Sequence, residues 1–287
     1  MSRYVVLNNF KSRLSKICYM GILNDILQFH GIQTKESSLL GLSAGWLFRF
    51  GFSNTQTLFS PIYMTTQDLC VVDDGVYDQN ILYTVLKKHY GLIAKEVECK
   101  NISSAWDTIR YELENCRIPM VSIFLSDLPY LPKALQTKDG HYIALYGYDL
   151  RQDKLYMADS LVLTKPRKIF QGDIPLQSFL QALQHRIDQD GCVRLFQYEK
   201  SEEFKQPDIN DHLHSISTII EANKYNQISC LFGGSINAGA KAYNEFINSI
   251  HNIIELFNDS GAKNNLNKLY AGITSHSGPV VCRSLLQ

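Results

Sequence analysis

Between Gly140 and Asp159 the chain carries two short apolar strands joined by a polar turn, and this stretch limits the fold more than any other. His141 to Tyr148 (HYIALYGY) puts His141, Ile143, Leu145 and Gly147 on one face and the tyrosines with Ala144 on the other. Asp149 to Asp153 supplies a turn, Lys154 to Ala158 a second strand, and Asp159 stands at its exit, so an antiparallel hairpin is expected. Met120 to Leu125 (MVSIFL), after Pro119, adds a buried strand, and Gly191 to Tyr198 (GCVRLFQY) a last one.

Helices precede and separate these strands. From Ser15 onward, Cys18, Gly21, Ile22, Asp25, Ile26 and Phe29 recur at helical steps and Gly31 marks the stop. Ser15 is the expected N-cap, with Leu14 and Tyr19 closing a hydrophobic staple, which puts Cys18 in the first turn. Further helices are expected over Gln79 to Tyr90, Ser103 to Cys116 and Ile174 to Gln184. The polar run Glu199 to Asp211, with Pro207, is the best linker candidate, and the pattern beyond it is helical over Ile209–Tyr225, Ile236–Phe257 and Leu266–Ile273. The expected architecture is therefore an α+β catalytic domain over residues 1–200 followed by a helical domain over 208–287 that packs on it as a cap or dimerisation element.

Composition narrows the function. Hydrophobic residues make up 45% and charged residues 20%, which supplies a core and argues against a disordered chain. Lysine plus arginine balances aspartate plus glutamate at 28 each, so no global field draws the chain to nucleic acid or anionic lipid, and electrostatic docking requires a local patch. The apolar stretch Tyr4 to Leu7 is too short for a secretory segment, and no run approaches the ~18 apolar residues of a membrane span, so a cytoplasmic location is expected. The 7 cysteines are scattered without a CxxC pair, which argues against both a disulfide framework and a zinc site.

One cysteine has the setting of a nucleophile. A thiol attacks as its anion, and a first-turn position favours an anion because free N–H groups and the helix dipole point at it. Cys18 has that placement. His141, after a glycine at the start of a strand, is the best-placed base, and Asp159 at the end of the paired strand is suited to orient it. Each residue has an ordinary structural explanation when taken singly, as core thiol, strand histidine or turn aspartate; their occurrence together in this order favours the chemical reading.

The cysteine helix, the run GLSAGWLFRFGF with Glu36 shortly before it, and DGHYIALYGYD followed by KLYMADS together resemble the N-terminal domain of the butirosin-biosynthesis BtrH-like proteins. That group is similar in turn to bacteriocin-processing cysteine peptidases. The resemblance runs over about residues 8 to 198. It implies a papain-like core and acyl transfer, with Cys18 accepting the acyl group, His141 acting as base and Asp159 as its partner. The implied donor is an acyl or aminoacyl thioester on the phosphopantetheine arm of an acyl carrier protein, or on coenzyme A, and the implied acceptor is an amine; no resident cofactor or metal is expected.

The sequence departs from the family pattern where papain-like peptidases carry an oxyanion-hole glutamine. The stretch Asn8 to Arg13 has none, leaving Asn8 or Asn9 as candidate donors beside the Cys18 backbone N–H. Gly45 and Trp46, in the glycine-rich run, are candidates for an acyl or acceptor pocket, and aromatic residues at that spacing serve equally as core. Lys11, Arg13 and Lys16, around the start of the helix, form a candidate docking patch for an acidic carrier, or simply a solvated surface. Two alternatives stay open: a cysteine hydrolase, either peptidase or thioesterase, and an inactive binding module of the same fold.

Overall fold

The computed structural model describes residues 3–42, 81–138, 140–201 and 206–214, residue 217, and strand pieces at 49–50, 72–73, 76–77, 227–229 and 235–238. In chain order the elements are β1 (Tyr4–Val6), α1 (Cys18–Phe29), α2 (Glu36–Leu42), β2 (Arg49–Phe50), β3 (Val72–Asp73), β4 (Val76–Tyr77), α3 (Ile81–Tyr90) and β5 (Leu92–Cys99). Then follow α4 (Ile102–Glu114), β6 (Met120–Phe124), β7 (Gly140–Asp149), β8 (Lys154–Val162), β9 (Lys168–Pro175), α5 (Leu176–Asp190), β10 (Val193–Lys200), β11 (Gln227–Ser229) and β12 (Ser235–Ala238). The fold is α+β, as expected, with helices set against an antiparallel sheet.

Two compact units divide the chain: residues Met1–Glu36 with Tyr90–Phe204, and Ser37–His89 with Lys205–Gln287. The segment Ser37–His89, expected to belong with the first 200 residues, therefore groups with the C-terminal part. The second unit also holds a three-stranded sheet in the order β11-β12-β2 and the pair β3-β4. Helix was expected from Ile236 onward; that residue lies instead in β12, opposite Ile228. The expected helices beyond it lie outside the described residues.

The first unit is built on one sheet, ordered β5-β10-β6-β7-β8-β9, with β1 pairing to the far end of β7. The β7–β8 hairpin forms as the alternation predicts, with Asp149 opposite Lys154 and a register irregularity between Leu145 and Gly147. At Gly147 a Cβ atom would sit 2.5 Å from the Val5 carbonyl oxygen, so glycine is what lets β1 lie so close to β7. Strands β5 and β9 were not anticipated: both lie at sheet edges, and their mixed exposure hides the alternation that marks a half-buried strand.

Helix α1 packs on β7 and β8, and its Ile22, Leu23, Ile26 and Leu27 are fully buried, each contributing about 1.5–3 kcal/mol relative to exposure. Successive strand residues face opposite sides of a sheet. Gly140 lies near Arg186 of α5 and the next residue, His141, contacts Cys18 of α1, so the two helices cover opposite faces. Among the described residues, no helix is long and apolar enough to cross a membrane.

Candidate active site

Helix α1 begins at Cys18, later than expected, and Ile17 rather than Ser15 is its N-cap. Ile17 has no side chain able to cap, which forgoes about 1 kcal/mol that a serine or aspartate would supply. Leu14 is exposed, so the expected staple does not form. Ser15 has another use: its N–H donates to the Ser160 carbonyl at 2.9 Å, and its hydroxyl lies 3.0 Å from the Ser160 hydroxyl.

The missing cap is replaced by a carboxylate from the next helix. Glu36 accepts the Ile17 N–H at 2.7 Å and the Lys16 N–H at 3.1 and 3.2 Å, fixing the two peptides that lead into the cysteine. Burial raises the Glu36 carboxyl above its usual value, against the opposing effects of those N–H groups and of Lys16 and Arg167. Deeper in the same helix, Asp25 accepts the Ser12 hydroxyl at 2.9 Å and the Arg13 N–H at 3.2 Å. From the other side, Gln171 on β9 accepts the Ser12 N–H at 2.9 Å and donates to the Phe10 carbonyl at 2.9 Å. The strap that leads to Cys18 is thus tied to α1, α2, β8 and β9.

The structure brings Cys18, His141 and Asp159 together. All three are buried, Asp159 completely. Asp159 Oδ1 lies 2.9 Å from His141 Nε2, an ion-pair distance, but off the axis of the ring N–H, so the contact is one of charge rather than a linear hydrogen bond. Cys18 is close enough to His141 to act on its charge, so the imidazole stands between the thiol and the carboxylate. Burial by itself would push the imidazole down; the charges of Cys18 and Asp159, with their polar contacts, outweigh it and raise His141 to about 10. The arrangement sets a thiol beside an imidazole with a carboxylate behind it, the groups needed to attack an electrophilic carbonyl and to move one proton.

Several partners of this group were not legible in the sequence. Tyr130, between β6 and β7, donates to Asp159 Oδ2 at 2.8 Å, and the Leu161 N–H donates to Oδ1 at 2.8 Å. Ser160 donates to the Cys18 carbonyl at 3.3 Å. A tyrosine set between Pro129 and Pro132 in a loop hints at a fixed ring, but its partner lies 29 residues on.

The remaining candidates are placed as follows. Asn8 and Asn9 form an exposed turn after β1. Lys11, Arg13 and Lys16 are all exposed on the strap. Gly45 and Trp46 lie outside the described residues. Cys99 is buried, Cys192 half-buried and Cys116 exposed, so burial alone does not set Cys18 apart from the other thiols.

The family model described as butirosin biosynthesis protein H, N-terminal, matches residues 17–160, half of the chain, and spans Cys18, His141 and Asp159. The chain belongs to that family. No curated relative matches it.

Proposed function

We propose that this chain is a cysteine-dependent acyltransferase with a papain-like core, moving an acyl or aminoacyl group from a carrier-protein or coenzyme A thioester to an amine in a biosynthetic pathway. The observation that carries the reading is His141 set between Cys18 and Asp159, in a family named for a biosynthesis protein. The layout supports it too: the cysteine opens a helix packed on the hairpin whose two strands supply the histidine and then the aspartate.

The Cys18 sulfur attacks the thioester carbonyl, and the resulting oxyanion is held by the Cys18 N–H at the helix start; Asn8 and Asn9 are set aside as second donors, because Leu7 just before them bonds Tyr146, toward the end of β7 away from His141. The C–S bond to the donor breaks, its sulfur takes the proton from His141, and the acyl group stays on Cys18. An amine then attacks the new thioester, His141 takes the amine proton, and the Cys18–acyl bond breaks to release the amide. Asp159 stabilises the imidazolium at both stages. The phosphopantetheine arm belongs to the substrate. An acidic carrier docks on Lys11, Arg13 and Lys16, the exposed cations of the strap into Cys18.

The test is product analysis with a panel of acyl-pantetheine thioesters and amine acceptors. Amide formation that depends on Cys18 and outpaces release of free acid supports a transferase; free acid alone assigns a hydrolase instead.

A further inference from the structure

Asp159 has no exposed surface, yet both its oxygens are engaged. Oδ1 accepts the Leu161 N–H and faces His141, while Oδ2 takes the Tyr130 hydroxyl at 2.8 Å. The Tyr130 ring lies flat on Phe170 of β9, with centroids 3.9 Å apart and planes 4° apart, so the phenol is held from its ring as well as from its oxygen. This stack joins the β6–β7 loop to the sheet edge at the carboxylate behind the histidine.

Cys18 from α1 and Asp159 from β8 are the charged groups that act on His141. Ile123 of β6 lies opposite His141 in the sheet, and β9 contributes the neutral Phe170. Burial, then the charge and hydrogen bond of Asp159, hold the Tyr130 hydroxyl well above the usual tyrosine range, so it remains a donor throughout the working range of a thiol enzyme. A hydrogen bond donated to a carboxylate spreads its negative charge and so weakens its attraction for a neighbouring imidazolium.

We propose that Tyr130 is a positioning residue for the Cys18–His141 pair: its hydroxyl draws charge from Asp159, so that His141 releases its proton to a leaving group more readily than a bare aspartate–histidine pair would allow. The inference rests on the reading of Cys18 as nucleophile and His141 as its proton carrier. Two changes at this position, each keeping the ring on Phe170, act in opposite directions. Tyr130→Phe removes the donor, and a fluorinated tyrosine incorporated at position 130 strengthens it.

The readout is the rate of Cys18 alkylation by iodoacetate against pH, followed by peptide mapping. The reagent is an anion drawn to the imidazolium, so the rate falls where His141 loses its proton. Tyr130→Phe is expected to move that upper limb to higher pH by about half a unit to one unit, and the fluorinated tyrosine to move it lower. A merely structural role would change rates without displacing the limb in opposite senses. Any result other than opposite displacements in these directions overturns the proposal. If wild-type Cys18 is not alkylated ahead of the exposed Cys116, the nucleophile reading itself falls, and this inference with it.

Discussion

Ser160 donates a hydrogen bond to the Cys18 carbonyl at 3.3 Å, while the residue before it, Asp159, faces His141 at 2.9 Å. One dipeptide of β8 therefore locates both the sulfur-bearing residue and the imidazole. Ser160→Ala is expected to cost about 1 kcal/mol, because the Ser15 hydroxyl keeps other acceptors in the Ile17 and Ser160 carbonyls and is not orphaned. Alkylation of Cys18 should slow about threefold to tenfold as the helix start loosens. Thermal unfolding and iodoacetamide kinetics check both; an unchanged rate at reduced stability would confine Ser160 to a packing role.

Gly21 is the second requirement of that contact. A Cβ there would lie 2.2 Å from the Ser15 Cβ and 2.6 Å from the Ser160 hydroxyl. Gly21→Ala, an ordinary helix-stabilising change elsewhere, should here destabilise by about 1–3 kcal/mol through overpacking and should impair Cys18 reactivity as well. Stability equal to or above wild type in chemical denaturation would show that the strap yields without cost.

Asp25 predicts a pH dependence of a specific sign. Burial pushes its carboxyl from 3.8 up to about 7, outweighing the Arg13 N–H and the Ser12 hydroxyl. The folded state thus holds a proton that the unfolded chain releases, so the stability it confers is complete below pH 3.8 and is lost as pH rises through about 7. Asp25→Asn keeps an acceptor for both donors and cannot ionise. Its melting temperature, relative to wild type, should climb between pH 3.8 and about 7 and level off above that. Parallel curves for the two proteins would remove Asp25 from the account.

How much of this was visible in the sequence depends on the range of each interaction. The helix from Cys18 and the β7–β8 hairpin were legible because a local period of side chains dictates them, and they carried Cys18, His141 and Asp159 with them. The start of α1 is not legible locally because Ser15 has the chemistry of a cap, and only the fold shows that Ser160 claims it. Nothing local marks Glu36 as the acceptor for Lys16 and Ile17, since that bond depends on how the chain returns after α1. The partnership of Tyr130, Asp159 and Phe170 joins a loop and two strands, and no local pattern encodes it.

Carrier docking makes a separate prediction. Combining Lys11→Glu, Arg13→Glu and Lys16→Glu removes three exposed cations, each worth a few tenths to about 1 kcal/mol at a solvated rim. Turnover of a carrier-bound donor should fall about tenfold and lose much of its salt dependence, while a small free thioester should be handled as before. Equal loss with both donors, or none with either, would favour free coenzyme A thioesters.

Cys18 is expected to carry the acyl group between donor and acceptor. Intact-mass analysis after incubation with an acyl-thioester donor and no acceptor should show wild-type protein gaining the mass of one acyl group, with Cys18→Ala gaining none and His141→Ala gaining it far more slowly. A wild-type protein that acquires no acyl group from any donor, or an adduct that persists in Cys18→Ala, would contradict the account.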